Sequence, residues 1–88
     1  PEEELYASSL TAGDFNWIAC EPSGTPLRVT AKTRYNGKEA AAAASLLENG
    51  EVRVVFDQPQ RAITPGQAVV LYDGDTVVGG GTIRRVDR

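Results

Sequence analysis

Three Asn-Gly or Asp-Gly dipeptides recur at short intervals in this chain of 88 residues, at 36–37, 49–50 and 73–74. Such pairs are typical of tight β-hairpin turns, because both central residues of a type I′ turn take positive φ. A further turn is predicted at Pro65-Gly66, where proline and glycine stand in the order that a type II turn prefers. Short segments joined by such turns indicate an antiparallel β-barrel or sandwich.

The segments between these turns alternate apolar and polar residues, which predicts half-buried strands. Strands are predicted at 4–11, 27–35, 52–57, 67–72 and 76–85. The glycine triplet at 79–81 indicates a bend or close backbone packing inside the last strand, and its spacing matches neither a P-loop nor a dinucleotide fingerprint. The predicted fold is therefore all-β. Because closing a sheet removes its exposed edges, we expect a small antiparallel β-barrel of about six strands.

In residues 38–49 (KEAAAAASLLEN), the local helix propensity disagrees with the strand that the flanking turns require. Alanine, leucine and glutamate favour a helix, and Gly50 stands where a helix would stop. The Asn-Gly turns on both sides instead require a return strand that pairs with both of its neighbours. Because tertiary context overrides a weak local preference, we predict a strand here, with a helix as the alternative.

The composition excludes several kinds of chemistry. Histidine is absent and Cys20 is the single cysteine. The chain therefore cannot supply four ligands to a structural zinc, build a Ser-His or Cys-His pair, or form an intrachain disulfide. We predict no catalytic residue, no metal ligand and no cofactor-binding residue within this sequence.

The charge is distributed unevenly. The formal net charge is −3, which argues against tight binding of nucleic acid by this domain alone, because non-specific affinity comes mostly from phosphate neutralisation. Residues 1–27 contain acids and no base, whereas residues 28–88 contain all nine bases. Either the acidic opening is a solvated lead-in, or the basic remainder faces a polyanion while the acidic part points away.

The chain begins at Pro1 and contains no methionine, from which we expect a piece of a larger protein. No apolar stretch of about 18 residues is present to span a membrane, and no basic-then-apolar leader precedes the domain. A lone cysteine fits a reducing compartment. These features predict a cytoplasmic protein that does not contact a membrane.

Four segments resemble, in this order, the C-terminal domain of the bacterial tRNA-specific 2-thiouridylases, or tRNA-uridine 2-sulfurtransferases. They are residues 15–18 (FNWI), 31–35 (AKTRY), 56–67 (FDQPQRAITPGQ) and 72–83 (YDGDTVVGGGTI). The resemblance implies that residues 1–88 form a single C-terminal β-barrel domain, with 1–9 as lead-in or first strand. It also implies similarity to the second domain of translation elongation factors.

For the parent enzyme, the resemblance implies an N-terminal ATP-pyrophosphatase domain and a central domain in the same chain. Such enzymes use ATP with Mg²⁺ to activate the wobble uridine of tRNA. A catalytic cysteine then delivers sulfur that a cysteine desulfurase or a sulfur-relay protein supplies. Neither the nucleotide loop (Ser-Gly-Gly-x-Asp-Ser) nor the cysteine-bearing segments of the family occur here, and Cys20 lies in neither catalytic motif.

The candidate site consists of basic residues on the outward face of the predicted second strand. Arg28, Lys32 and Arg34 alternate along that strand, and Arg61 precedes the Pro-Gly turn. We expect them to contact the tRNA backbone, although solubilising surface charges would show the same spacing. The alternative function is a scaffolding barrel that docks on the catalytic domains or on a sulfur-carrier partner without touching RNA. Trp17 fits a core or domain-junction anchor better than a base-stacking platform.

Overall fold

The computed structural model describes residues 6–19, 24–33 and 37–87, and every regular element in this part of the chain is a β-strand. This confirms the predicted all-β fold. The six strands are β1 (Tyr6–Trp17), β2 (Leu27–Lys32), β3 (Ala40–Leu46), β4 (Val52–Arg61), β5 (Ala68–Asp73) and β6 (Thr76–Asp87).

The strands form one closed antiparallel barrel in the order β1-β4-β3-β2-β5-β6. Strands β2, β4 and β6 therefore run in one direction, and β1, β3 and β5 in the other. The C-terminal ends of β2, β4 and β6 meet at what we call the loop end, which holds residues 32–33, 37–39 and 61–67. The short connections at 47–51 and 73–76 lie at the opposite end, the hairpin end.

The alanine-rich segment is strand β3, as predicted, and the helical alternative is wrong. Ala42 pairs with Val29 of β2 and with Phe56 of β4, so both neighbouring turns are satisfied. Ala42 and Ala44 point into the core and are at most 1% exposed. Hydrogen bonds to two flanking strands outweigh the weak helical preference of alanine.

The barrel interior is filled by the residues that alternate inward along each strand. Val52, Val54 and Phe56 are buried as the alternation predicts. Leu10, Leu71 and Ile83 are almost completely excluded from solvent, at no more than 1% exposure. These apolar side chains from different strands fill the interior, and the charged residues occupy the outward positions.

The Pro-Gly turn has the predicted geometry. Gly66 has φ +94° and the Gln67 amide donates to the Thr64 carbonyl at 3.4 Å, as a type II turn requires. The Gly66 amide also donates to the Ile83 carbonyl of β6 at 2.8 Å, which fixes this turn against the barrel wall.

The Asn-Gly and Asp-Gly turns depart from the predicted type I′ geometry. Gly50 has φ +89°, Asn49 does not have positive φ, and the Gly50 amide donates to the Leu47 carbonyl at 3.0 Å. This is a type I turn followed by a bulge glycine. At the next hairpin, Gly74-Asp75 is the central pair and Gly74 alone has positive φ (+60°), so the prediction there is displaced by one residue. Asn36 lies outside the described residues.

Three strand boundaries also differ from the prediction. Strand β4 continues to Arg61 instead of ending at residue 57, so Arg61 lies in a strand and not in the loop before the Pro-Gly turn. Strand β2 ends at Lys32 rather than at residue 35, and residues 34–36 are not described. Strand β1 continues to Trp17 instead of ending at Thr11. Its later half was missed because the register shifts between Gly13 and Asn16, and Asp14 takes φ +48°. Such a bulge interrupts the alternation on which the prediction relied.

The glycine triplet permits close packing, as predicted. A Cβ atom on Gly79 would lie 2.5 Å from the Asn16 carbonyl oxygen, and one on Gly81 would lie 2.7 Å from the Gly13 carbonyl oxygen. The Phe15 ring covers both positions, with the nearest ring atoms at 2.7 and 2.9 Å from the two Cβ sites. Glycine therefore allows β1 and its aromatic side chain to approach β6.

Candidate functional site

The structure brings two of the four predicted basic residues to the same end of the barrel. Lys32 is the last residue of β2 and Arg61 the last residue of β4. These two strands run in the same direction with β3 between them, so their axes are about 10 Å apart. Arg28 lies four residues before Lys32, about 13 Å back along β2, and Arg34 lies outside the described residues.

Arg28 forms an ion pair with Asp57. Its Nη1 and Nη2 atoms donate to Oδ1 and Oδ2 of Asp57 at 2.9 and 2.6 Å, respectively. The hydrogen bond from Arg28 holds the pKa of the Asp57 carboxyl below its usual value, and the same bond raises the pKa of Arg28. The positive charge of Arg28 is therefore locally compensated, although its side chain is 64% exposed.

The alanines of β3 make this ion pair possible. Arg28 is on β2 and Asp57 is on β4, so the pair must cross β3 on the outside of the barrel. Arg28 pairs in register with Ala43, and Ala43 and Ala41 occupy outward positions of β3. A methyl group at these positions leaves room for the guanidinium to reach across. Small side chains in β3 therefore fit the barrel core on the inner face and leave room for the ion pair on the outer face.

Lys32 and Arg61 differ from Arg28 because neither has an acidic partner. Within the described residues, the ion pairs involve four arginines on the barrel wall and leave these two side chains, together with Lys38, without a carboxylate. The pairs are Arg28–Asp57, Arg53–Asp87, Arg84–Asp14 and Arg85–Asp87.

Lys38 was missed by sequence reasoning. It is exposed and lies two residues before β3, at the loop end with Lys32 and Arg61. Its position just after the Asn36-Gly37 dipeptide was the available signal, because a hairpin there places the start of β3 beside the end of β2. Together, Lys32, Lys38 and Arg61 form what we call the basic end.

The backbone beside Arg61 is unusual. Ala62 has φ +60°, a left-handed conformation that an alanine rarely adopts. Arg61 itself pairs in register with Tyr6 at the start of β1. The chain therefore turns sharply immediately after Arg61, which is exposed where β4 leaves the barrel.

The acids without an ion pair lie mostly at the other end of the barrel. Glu48 and Glu51 belong to the β3–β4 hairpin, and Asp73 and Asp75 to the β5–β6 hairpin. Among the residues placed by the structure, none of these four carboxylates is within ion-pair distance of a base. The fifth, Glu39, lies at the loop end, where it accepts a hydrogen bond from the Thr30 hydroxyl.

The aromatic and apolar residues of interest lie at the hairpin end. Trp17 is half-buried, packs on the core, and its ring centroid is 4.9 Å from that of Phe15. Ile18 follows it and is 63% exposed, and Val77 on the neighbouring strand is 36% exposed. Trp17 therefore anchors the wall of the barrel, as predicted, and lies at the opposite end from the basic residues. Cys20 falls outside the described residues.

The described residues contain no candidate metal site. In the parts of the chain at 6–19, 24–33 and 37–87, no three acidic or cysteine side chains are grouped to hold a metal ion. The same residues include no helix with the length and apolar character needed to cross a membrane. The chemistry that this surface can perform is electrostatic binding through lysine and arginine.

Comparison with known proteins supplies the family. The family described as the aminomethyltransferase β-barrel domain matches residues 7–83. Among curated proteins, the chain is 59% identical over 83 residues to the tRNA-specific 2-thiouridylase MnmA of Acetivibrio thermocellus, which covers 94% of this chain and 23% of the relative. It is 52% identical over 84 residues to the protein of the same name from Halothermothrix orenii, covering 96% of this chain and 24% of the relative.

The chain thus spans about a quarter of the length of the curated relatives it matches. The resemblance to the C-terminal β-barrel domain of the tRNA-specific 2-thiouridylases is confirmed by these matches, and the closed six-stranded barrel agrees with the family description. The chain belongs to the family of aminomethyltransferase β-barrel domains, in the branch found in tRNA-specific 2-thiouridylases.

Proposed function

We propose that this barrel is the non-catalytic C-terminal domain of a tRNA-uridine 2-sulfurtransferase and that it helps to hold tRNA. The observation that carries the proposal is the basic end, where Lys32 and Arg61 lie at the same end of the barrel and have no acidic partner among the described residues. Its relatives are named tRNA-specific 2-thiouridylases, which supports a polyanionic RNA as the partner. The parent would thiolate the wobble uridine in an ATP-dependent reaction in the cytoplasm.

Lys32 and Arg61 would contact phosphates of the tRNA backbone. Such contacts position RNA and do not discriminate between sequences. Arg34, which lies outside the described residues, stays a predicted tRNA contact. Arg28 would contribute less to tRNA binding, because its guanidinium already donates hydrogen bonds to the Asp57 carboxylate at 2.6 and 2.9 Å.

The reacting groups would lie elsewhere in the parent. The chain offers no histidine and a single cysteine, so activation of uridine with ATP and Mg²⁺ would occur in the N-terminal ATP-pyrophosphatase domain. The central domain and a cysteine desulfurase or sulfur-relay protein would be the other partners. The barrel would then act on the reaction only through the position of the bound tRNA.

The test is the double variant Lys32→Ala/Arg61→Ala in the full-length enzyme, with binding of a tRNA transcript measured at several salt concentrations. We expect weaker binding and a salt slope smaller by about 0.7–0.9 for each lost phosphate contact. ATP affinity should not change. Arg53→Ala/Arg84→Ala is the matched control, because it also removes two positive charges, but from residues that are paired with Asp87 and Asp14.

The second candidate is the scaffolding barrel, which the exposed Ile18 and Val77 at the hairpin end favour. The Ile18 amide donates to the Val78 carbonyl, so Ile18 and Val77 lie on neighbouring segments, and grouped exposed apolar side chains are typical of protein-docking surfaces. If the double variant binds tRNA with the affinity and salt dependence of the parent, the scaffolding function replaces the RNA-binding one.

A further inference from the structure

We propose that the barrel meets the tRNA backbone end-on, with the basic end (Lys32, Lys38 and Arg61) against the phosphates and the hairpin end turned away. This inference rests on the proposed function and adds to it an orientation and one further contact residue, Lys38. It is argued from the distribution of the charges that no ion pair compensates.

Within the described residues, most of the charges without an ion pair are separated by sign. All three bases without an acidic partner in the described part of the chain lie at the loop end. Of the five described acids without a basic partner, four lie at the hairpin end, and the fifth, Glu39, lies at the loop end and accepts a hydrogen bond from Thr30. The acids are Glu39, Glu48, Glu51, Asp73 and Asp75. The charges of the barrel wall, in contrast, are largely paired.

The separation is long enough for the two ends to act independently. Arg61 pairs in register with Tyr6 and Val52 pairs with Ala12, so six residues of β1, or about 20 Å at 3.3 Å per residue, separate Arg61 from the start of β4. Lys32 pairs in register with Val70, three residues before Asp73, so at least about 10 Å of backbone separates that lysine from the acidic end. The Debye length at physiological salt is about 8 Å, so an anion at the basic end is screened from the acids.

This arrangement resolves a conflict within the sequence. A net charge of −3 opposes binding of a polyanion when the charge is spread over the whole surface. Among the described acids without a basic partner, the four at the hairpin end lie beyond one Debye length when the loop end faces the RNA, whereas Glu39 lies at the loop end. A side-on approach would instead place the hairpin acids beside the backbone. The charge distribution therefore favours the end-on orientation.

Ala62 supports a defined surface at this end. Its φ of +60° turns the chain directly after Arg61, and an alanine in that conformation persists only where the surroundings hold it. The turn leaves Arg61 exposed at the barrel rim rather than on the wall.

The experiment compares Lys38→Ala with Asp73→Asn/Asp75→Asn in the full-length enzyme, using an unmodified tRNA transcript as the probe. A salt slope of about 0.7–0.9 per contact corresponds to about a four- to fivefold loss of affinity at 0.15 M salt. We expect that loss, with the smaller slope, for Lys38→Ala. The acidic-end variant should leave both the affinity and the slope unchanged.

Two results would overturn the orientation while leaving RNA binding intact. One is that Lys32→Ala/Arg61→Ala weakens binding while Lys38→Ala does not. The other is that neutralising Asp73 and Asp75 tightens binding severalfold, which would place those acids next to the backbone. If no basic-end variant changes tRNA binding, the proposed function itself fails, and the basic end would face an acidic protein surface instead.

Discussion

The substitution Gly79→Ala is expected to destabilise the barrel although it adds only one methyl group. The new Cβ atom would lie 2.5 Å from the Asn16 carbonyl oxygen and 2.7 Å from Cε1 of Phe15. The Phe15 ring can rotate, but the Asn16 carbonyl belongs to β1, and β1 is held in register by Asn16 with Gly80 and by Trp17 with Gly79. Relief therefore requires a backbone shift.

The expected loss of stability follows from two opposing effects. Overpacking a well-packed site costs about 1–3 kcal/mol. Replacing glycine by alanine inside a strand recovers roughly 0.5–1 kcal/mol, because the unfolded chain has less conformational freedom to lose. The mid-range values, about 2 and about 0.75 kcal/mol, give a net fall in the free energy of unfolding of about 1–2 kcal/mol. For a domain of this size, the Tm should fall by roughly 4–16 °C.

Gly80→Ala is the matched control. Its Cβ would point to the other face of β6, where the nearest atom is the Val69 carbonyl oxygen at 3.1 Å. We expect a smaller loss there than at Gly79. Urea unfolding followed by Trp17 fluorescence and by circular dichroism would measure both variants. An unchanged midpoint for Gly79→Ala, or a larger loss for Gly80→Ala, would refute the packing explanation.

Three further predictions test the turn, the ion pair and the missing chemistry. Gly66→Val should lower the free energy of unfolding by about 1–3 kcal/mol through backbone strain alone, because φ is +94° and nothing lies within 4 Å of the Cβ site. Gly66→Asn should lower it less. Equal melting temperatures for the two variants would contradict this explanation. Arg28→Gln should raise the pKa of Asp57 toward its usual value near 3.9, as followed by NMR titration of that carboxyl. Because the folded pKa of Asp57 is lowered, the stability from this pair is present above the unfolded pKa and is lost as the pH falls through the folded pKa, so wild type and variant should converge in acid. The isolated 88-residue chain should neither hydrolyse ATP nor thiolate tRNA, and turnover abolished by a point substitution within it would show otherwise.

The amino-acid sequence by itself determined the number and kind of elements. Alternation with period two and the glycine turns are local signals. The alternation indicates which face of each strand is buried, and the turns indicate where a strand ends. Even the alanine-rich β3 followed from the turns on either side of it. Local reasoning failed at the bulge around Asp14, where φ is +48° and the alternation is interrupted. It also failed at the Asn49-Gly50 turn, because a dipeptide does not specify how many residues its loop contains.

The candidate site depended on the tertiary structure. The spacing along the chain assigned Arg28 and Lys32 the same predicted role. Only the fold shows that Arg28 pairs with Asp57 across β3, whereas Lys32 has no acidic partner among the described residues. The fold also brings Arg61 to the end of the barrel where Lys32 lies, through strands that are distant in the chain. The physical reason is that charge compensation depends on the register and direction of strands in a closed barrel. Local patterning carries no information about either.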